Sequence, residues 1–147
     1  MTRSNHVHAV RGAGRSAAGF TLLELMIVLS IIAVLASIAY ASYQRNVVET
    51  RRKAATACLM EVAQFAERYY TTQLTYVGLA APGVACITEV NRFYTVAING
   101  VPTATAYSVT ATPINQQATR DAGCGTLGIN QTGTKSKSGS KPLSECW

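Results

Sequence analysis

The chain has 147 residues and a formal net charge of +6, from 13 Lys and Arg against seven acids, with two His and four Cys. That length suits one domain, and both histidines, His6 and His8, stand ahead of a long apolar run. A Ser–His–Asp or Cys–His arrangement therefore cannot be assembled from the part that follows the run, whose only Asp is Asp121.

Residues 1–19 form a basic leader with Arg3, Arg11 and Arg15. From Phe20 to Tyr43 the only Asp, Glu, Lys or Arg is Glu24. About 20 helical residues at 1.5 Å rise cross a ~30 Å hydrocarbon core. A carboxylate in such a helix costs about 2.5–3.5 kcal/mol at the centre and less near an end. It therefore asks for a partner, and no Lys or Arg lies one turn away. The nearest candidate is a new α-amino group at Phe20, made by a cut after Gly19. Three readings fit this segment. One is a plain single-pass anchor. Another is a secretory signal with an A-x-A site at Ala39-Tyr40-Ala41, although the run exceeds the roughly 7–15 residues of a signal core. The third is processing at Gly19.

Neither Gly nor Pro occurs between Gly19 and Gly78. That silence predicts one continuous helix through Tyr69 or Tyr70. Its first half is apolar on nearly every face. In its second half Ala55, Cys58, Leu59, Val62, Phe65, Ala66 and Tyr69 follow 3.6-residue spacing and predict a core-facing stripe. Arg52, Lys53, Thr56, Gln64, Glu67 and Arg68 fall largely off that stripe. Glu49 and Lys53 form an i,i+4 pair in the favourable order.

Residues 71–92, with Gly78, Pro82 and Gly83, read as a connecting loop with little regular structure. Phe93–Ile98 is β-branched and aromatic and predicts a strand. Asn99-Gly100 signals a turn, and Pro102 suggests a loop longer than two residues. Tyr107–Thr112 and Thr126–Asn130 predict two more strands. Gln131-Thr132-Gly133 turns into an edge strand over 134–137, where exposed lysines discourage further pairing. Residues 139–147 are a tail. One helix followed by short strands argues for an α+β fold, the amphipathic helix lying on a small antiparallel sheet of about four strands.

All four cysteines, Cys58, Cys86, Cys124 and Cys146, follow the apolar run. An even count beyond an export signal reads as two disulfides in an oxidising compartment, with three connectivities open. No cofactor or metal is expected. Cys/His spacings for zinc are missing, Asp121 lacks neighbouring oxygen ligands for calcium, and Gly123-Cys124-Gly125 is too short for a phosphate loop. No enzyme activity is expected either. Without residues 1–19, ten basic residues face seven acids, a balance of +3, too mild to demand a nucleic-acid partner.

The block Gly19-Phe20-Thr21-Leu22-Leu23-Glu24-Leu25-Met26-Ile27-Val28-Leu29 resembles the class III signal of type IV pilins. The resemblance implies the pilin fold, a prepilin peptidase that cuts after Gly19, and N-methylation of Phe20. A second stretch resembles PilE-type minor pilins: Tyr107–Gln116, Thr119-Arg120-Asp121, Cys124–Gln131 and Cys146-Trp147. Ala33 and Ala41 stand where many pilins carry Gly and Pro, so the helix lacks the family's usual breaker. The disulfide pairing chosen is Cys58–Cys86, tying the helix to the loop that leaves it, and Cys124–Cys146, as in the tail loop of family members.

The implied organisation is a leader over 1–19, a membrane and filament-core helix over 20–43, and a periplasmic or extracellular head over 44–147. The inner membrane holds the subunit before it enters a cell-surface pilus. The implied function is a structural subunit that primes or joins the filament, Glu24 meeting the Phe20 amine of a neighbour. Its partners would be other major and minor pilins, the peptidase and an inner-membrane assembly platform. The alternatives are a DNA-uptake minor pilin, a major pilin and a type II secretion pseudopilin. DNA is the weaker candidate partner: Arg120, Lys135, Lys137 and Lys141 would make the contacts, but a solvated basic face is the preferred reading of them.

Overall fold

The computed structural model describes residues 19–80 and 83–147. Helix α1 spans Leu22–Gln73 and is followed by α2 (Ala85–Val90), β1 (Tyr94–Ile98) and β2 (Ser108–Pro113). Then come α3 (Asn115–Arg120), β3 (Leu127–Asn130), β4 (Lys135–Lys137) and α4 (Leu143–Cys146). The chain divides into two units, one ending at Ala39 and one beginning at Tyr40.

In the first unit the described residues are all solvent-exposed along the helix, although most are apolar. This part of α1 is long and apolar enough to cross a membrane. Its start is capped: the Glu24 amide donates to Thr21 Oγ1 at 3.2 Å. Thr21 is thus the N-cap and Glu24 the third helical residue, where an acid also meets the positive end of the helix dipole.

In the second unit the four strands form an antiparallel meander in the order β1-β2-β3-β4. Strand alternation sends Tyr94, Val96, Val109, Ala111, Leu127 and Ile129 to one side. These join Ala55, Cys58, Leu59, Val62 and Ala66 of α1 in a single buried cluster. A fully buried leucine such as Leu59 contributes about 1.5–3 kcal/mol through that burial. The α+β expectation with its four-strand sheet is borne out.

Beyond one-residue shifts at the starts of β1, β3 and β4, the elements differ from the sequence reading in four places. The stretch 71–92 is not featureless: α1 runs on to Gln73, and α2 forms where Cys86 is tied to α1 and Val90 is buried. Helices α3 and α4 were not foreseen, being too short for a 3.6-residue pattern and lacking side-chain caps. β2 starts at Ser108 and includes Pro113, which tolerates the end of a strand where its missing N–H matters least. Finally, Arg52 and Thr56 are buried rather than turned outward.

The tail needs one close backbone crossing. A side chain at Gly139 would collide with the Gly123 carbonyl. There the Gly139 amide donates to the Cys124 carbonyl at 2.9 Å, and Lys141 N to the Gly123 carbonyl at 2.8 Å. Only a residue without Cβ lets the two strands of backbone pass this closely.

Candidate functional site

α1 is joined to the C-terminal half by a buried polar hub. Arg52 Nη1 meets Asp121 Oδ1 at 2.5 Å, and Arg52 Nη2 donates to the Glu145 carbonyl at 3.1 Å. The other carboxylate oxygen of Asp121 accepts from Tyr94 OH at 2.6 Å and from Gln117 Nε2 at 3.3 Å. Gln117 Nε2 also donates to the Val48 carbonyl of α1 at 3.0 Å. Asp121 is 3% exposed and Arg52 8%, so both charges depend on each other and on these hydrogen bonds rather than on water. Gln117 Oε1 is the only buried side-chain oxygen or nitrogen among the described residues without a partner.

A second polar cluster fixes the segment after α1. Glu67 accepts from Tyr76 OH at 3.1 Å and from Tyr107 OH at 3.2 Å. The rings of Tyr70, Tyr76 and Tyr107 lie in series with centroids 4.7 and 4.8 Å apart.

Burial, and then the Asp121 carboxylate, push the Tyr94 hydroxyl well above its ordinary value. Burial and then Glu67 do the same to Tyr107 and Tyr76. A raised native value means that the stability these groups supply is complete below their unfolded value of about 10 and is lost as pH rises through the native one. Unfolding free energy is therefore expected to fall as pH climbs above about 10. Denaturant titrations across that range check this, and Tyr107→Phe should make the slope shallower.

The disulfides staple the same unit. Cys58 is bonded to Cys86, and Cys124 to Cys146. Their sequence separations are 28 and 22, and loops of that size are stabilised by about 3 kcal/mol each on a chain-entropy account. Among the described residues no group of three or more His, Cys, Asp or Glu could hold a metal ion.

A cleft of about 490 Å³ opens beside the hub, lined among others by Arg45, Glu49, Arg52, Arg120, Asp121 and Lys141. Glu49 is engaged by Lys53 at 2.7 Å, and that partner holds its carboxyl below the usual range. Arg120 donates to Gln44 Oε1 of α1. Lys141 approaches Glu145 at 3.7 Å, both half-exposed.

The four basic residues picked from sequence thus fall into two pairs. Arg120 and Lys141 line the cleft, whereas Lys135 and Lys137 lie on the edge strand β4 and do not. Lys135 sits over the Trp147 ring, 5.0 Å from its centroid, and Lys137 Nζ donates to the Gly139 carbonyl at 2.6 Å. Gly19, Phe20 and Glu24 are exposed at the start of α1. Sequence reasoning missed Arg52, Tyr94, Gln117 and Asp121 as a group. A signal for one of them was present: Arg52 is in helical register with Ala55, Leu59, Val62 and Ala66, so the stripe itself places it inward.

A capped apolar helix that turns amphipathic, a four-strand antiparallel meander and a stapled tail define a type IV pilin. The prokaryotic N-terminal methylation motif matches residues 14–40. The family described as type IV minor pilin ComP, DNA uptake sequence receptor, matches residues 41–128, more than half of the chain, and the chain belongs to that family. Among solved structures, a type IV pilin from Shewanella oneidensis aligns at 24% identity and TM-score 0.51, covering 68% of this chain and 97% of its own. The non-core minor pilin PilV of Neisseria meningitidis aligns at 21% identity and TM-score 0.47, covering 69% and 94%. No curated protein matches.

Proposed function

We propose that this minor pilin is a scarce subunit that primes or joins a pilus filament through its first helix. The observation that carries this is the described stretch of α1 up to Ala39: apolar side chains exposed all round, with Glu24 its single charge. Such a surface needs lipid or other helices to cover it. The leader over 1–19 is removed by a prepilin peptidase, and Phe20 becomes N-methylated. Residues 20–43 then sit in the inner membrane, with the head, residues 44–147, on the periplasmic side. On assembly the helix leaves lipid for a filament core. There Glu24 pairs with the Phe20 amine of a neighbour, and a wrong register strands one buried charge.

Intact-mass measurement of the native protein is expected to show a chain beginning at N-methyl-Phe20. Gly19→Leu should leave uncut precursor in the membrane. A mature chain beginning at Ser42 sinks the processing scheme. For the minor role, quantitative proteomics of purified pili should assign this chain a small share of the mass, while its deletion sharply reduces piliation and twitching. A dominant share overturns that role.

A second reading, DNA capture by the head, is favoured by the family's description as a DNA uptake sequence receptor and by Arg120 and Lys141 sharing one cleft. It is the weaker of the two, because Lys135 and Lys137 stand apart from that cleft. A DNA affinity that falls steeply with salt supports it, since release of counterions drives such binding.

A further inference from the structure

We propose that the cleft between α1 and the C-terminal segment binds the phosphodiester headgroup of an anionic phospholipid, at the bilayer surface from which α1 emerges. This rests on the membrane-anchored reading above.

The argument begins with chain order. The apolar run ends at Tyr43, and the helical lining of the cleft starts at the next residue, Gln44, and reaches Arg52. The 24 residues from Phe20 to Tyr43 rise about 36 Å as a helix, slightly more than a ~30 Å hydrocarbon core. The last turn of the run therefore lies at headgroup depth. Tyr40 and Tyr43, 64% and 65% exposed, are residues that favour this interface.

The charges at the cleft are matched to a phosphate. Arg52 is already neutralised by Asp121, and Glu49 by Lys53. Arg45 and Lys141 are left to face the opening, with Arg120, whose one hydrogen bond there is to the neutral Gln44 side chain. Arg45 and Arg120 have no ion pair among the described residues, and the Lys141–Glu145 contact, at 3.7 Å between half-exposed groups, is easily exchanged. Guanidinium groups fit phosphate oxygens bidentately, and Val48 adds an apolar wall. The alternative phosphate source, a nucleic acid, needs a longer basic track. The next lysines, Lys135 and Lys137, are on β4 with contacts of their own.

The occupied cleft orients the head on the membrane before assembly. Extraction of α1 into a filament must then break this contact.

The test uses the mature full-length protein in nanodiscs of phosphatidylcholine with or without phosphatidylglycerol. Incorporation is measured first: failure to incorporate overturns the anchoring reading itself. For incorporated protein, lipids retained in native mass spectrometry are counted. Phosphatidylglycerol is expected to be retained in preference to phosphatidylcholine. That preference should drop about fivefold for each charge removed in Arg45→Gln, Arg120→Gln and Lys141→Gln. Lys135→Gln/Lys137→Gln should leave it unchanged. Equal retention of both lipids by protein that does incorporate overturns the proposal and leaves anchoring intact. So does a matching loss in the Lys135/Lys137 variant, which marks diffuse surface charge. Displacement of the lipid by inorganic phosphate overturns it in favour of a free-phosphate site. Displacement by duplex DNA at a lower concentration overturns it in favour of a nucleic acid.

Discussion

Asp121→Ala is expected to destabilise the head by about 3–5 kcal/mol, the usual cost of stranding one partner of a buried ion pair. The substitution leaves the Arg52 guanidinium buried with only the Glu145 carbonyl, and removes the acceptor of Tyr94 OH. Against a typical total of about 5–15 kcal/mol, that loss brings the fold near its limit. Urea unfolding of the mature protein in detergent checks this through the midpoint. The paired replacement Arg52→Met with Asp121→Leu should recover much of the stability, because apolar groups of similar volume no longer require each other's charge. A midpoint shift for Asp121→Ala no larger than that of a surface substitution, about 0.5 kcal/mol, removes the hub from the account of how α1 is held.

The second large effect is expected at Glu24. Glu24→Ala should insert in the membrane as well as the native chain or slightly better, since a charge leaves an apolar run. Cutting should persist, because the scissile bond is at Gly19. Entry into filaments should fall by two orders of magnitude or more, the equivalent of an uncompensated buried amine at about 3–5 kcal/mol. The ratio of variant in sheared pili to variant in membranes measures this. Glu24 follows the N-cap Thr21 by three residues, so a capping role competes with charge pairing. Glu24→Gln separates them: an amide still serves a capping box but carries no charge. If Glu24→Gln assembles normally, the charge-pair mechanism is wrong and the cap explains the position.

The long helix and the sheet were legible because their signals are periodic and uninterrupted. The absence of Gly and Pro from Phe20 to Val77 lets one helix run unbroken, and it ends at Gln73, where Leu74 turns to positive φ ahead of Gly78. The alternation in Tyr94–Ile98 and Ser108–Pro113 matches one buried face. The three short helices carry four or six residues each. That is less than two turns, and no hydrophobic period can be read from it. They form because a disulfide or a buried side chain holds them: Cys86 in α2, Gln117 in α3, Cys146 in α4. The hub was hidden for a different reason. Arg52, Tyr94, Gln117 and Asp121 are brought together across separations as large as 69 residues, and a charged residue on an otherwise apolar stripe invites an outward assignment. For the basic residues, sequence proximity misled: Lys137 and Lys141 are four apart, yet only Lys141 reaches the cleft.

The bonds between α1 and the rest of the head are arranged in series along the helix. Counting from its N-terminal side, they are Gln44 to Arg120, the Val48 carbonyl to Gln117, Arg52 to Asp121 and to the Glu145 carbonyl, and Cys58 to Cys86. Tension applied through the first turns of α1 meets them in that order. These noncovalent links yield before the covalent one is reached. The sheet, whose strands pair with each other rather than with the helix, meets α1 through packed side chains alone, so while Cys58–Cys86 stays oxidised the helix cannot slide past it beyond that bond. Reducing that one bond turns a head that stretches and recovers into one whose helix can be drawn out under force.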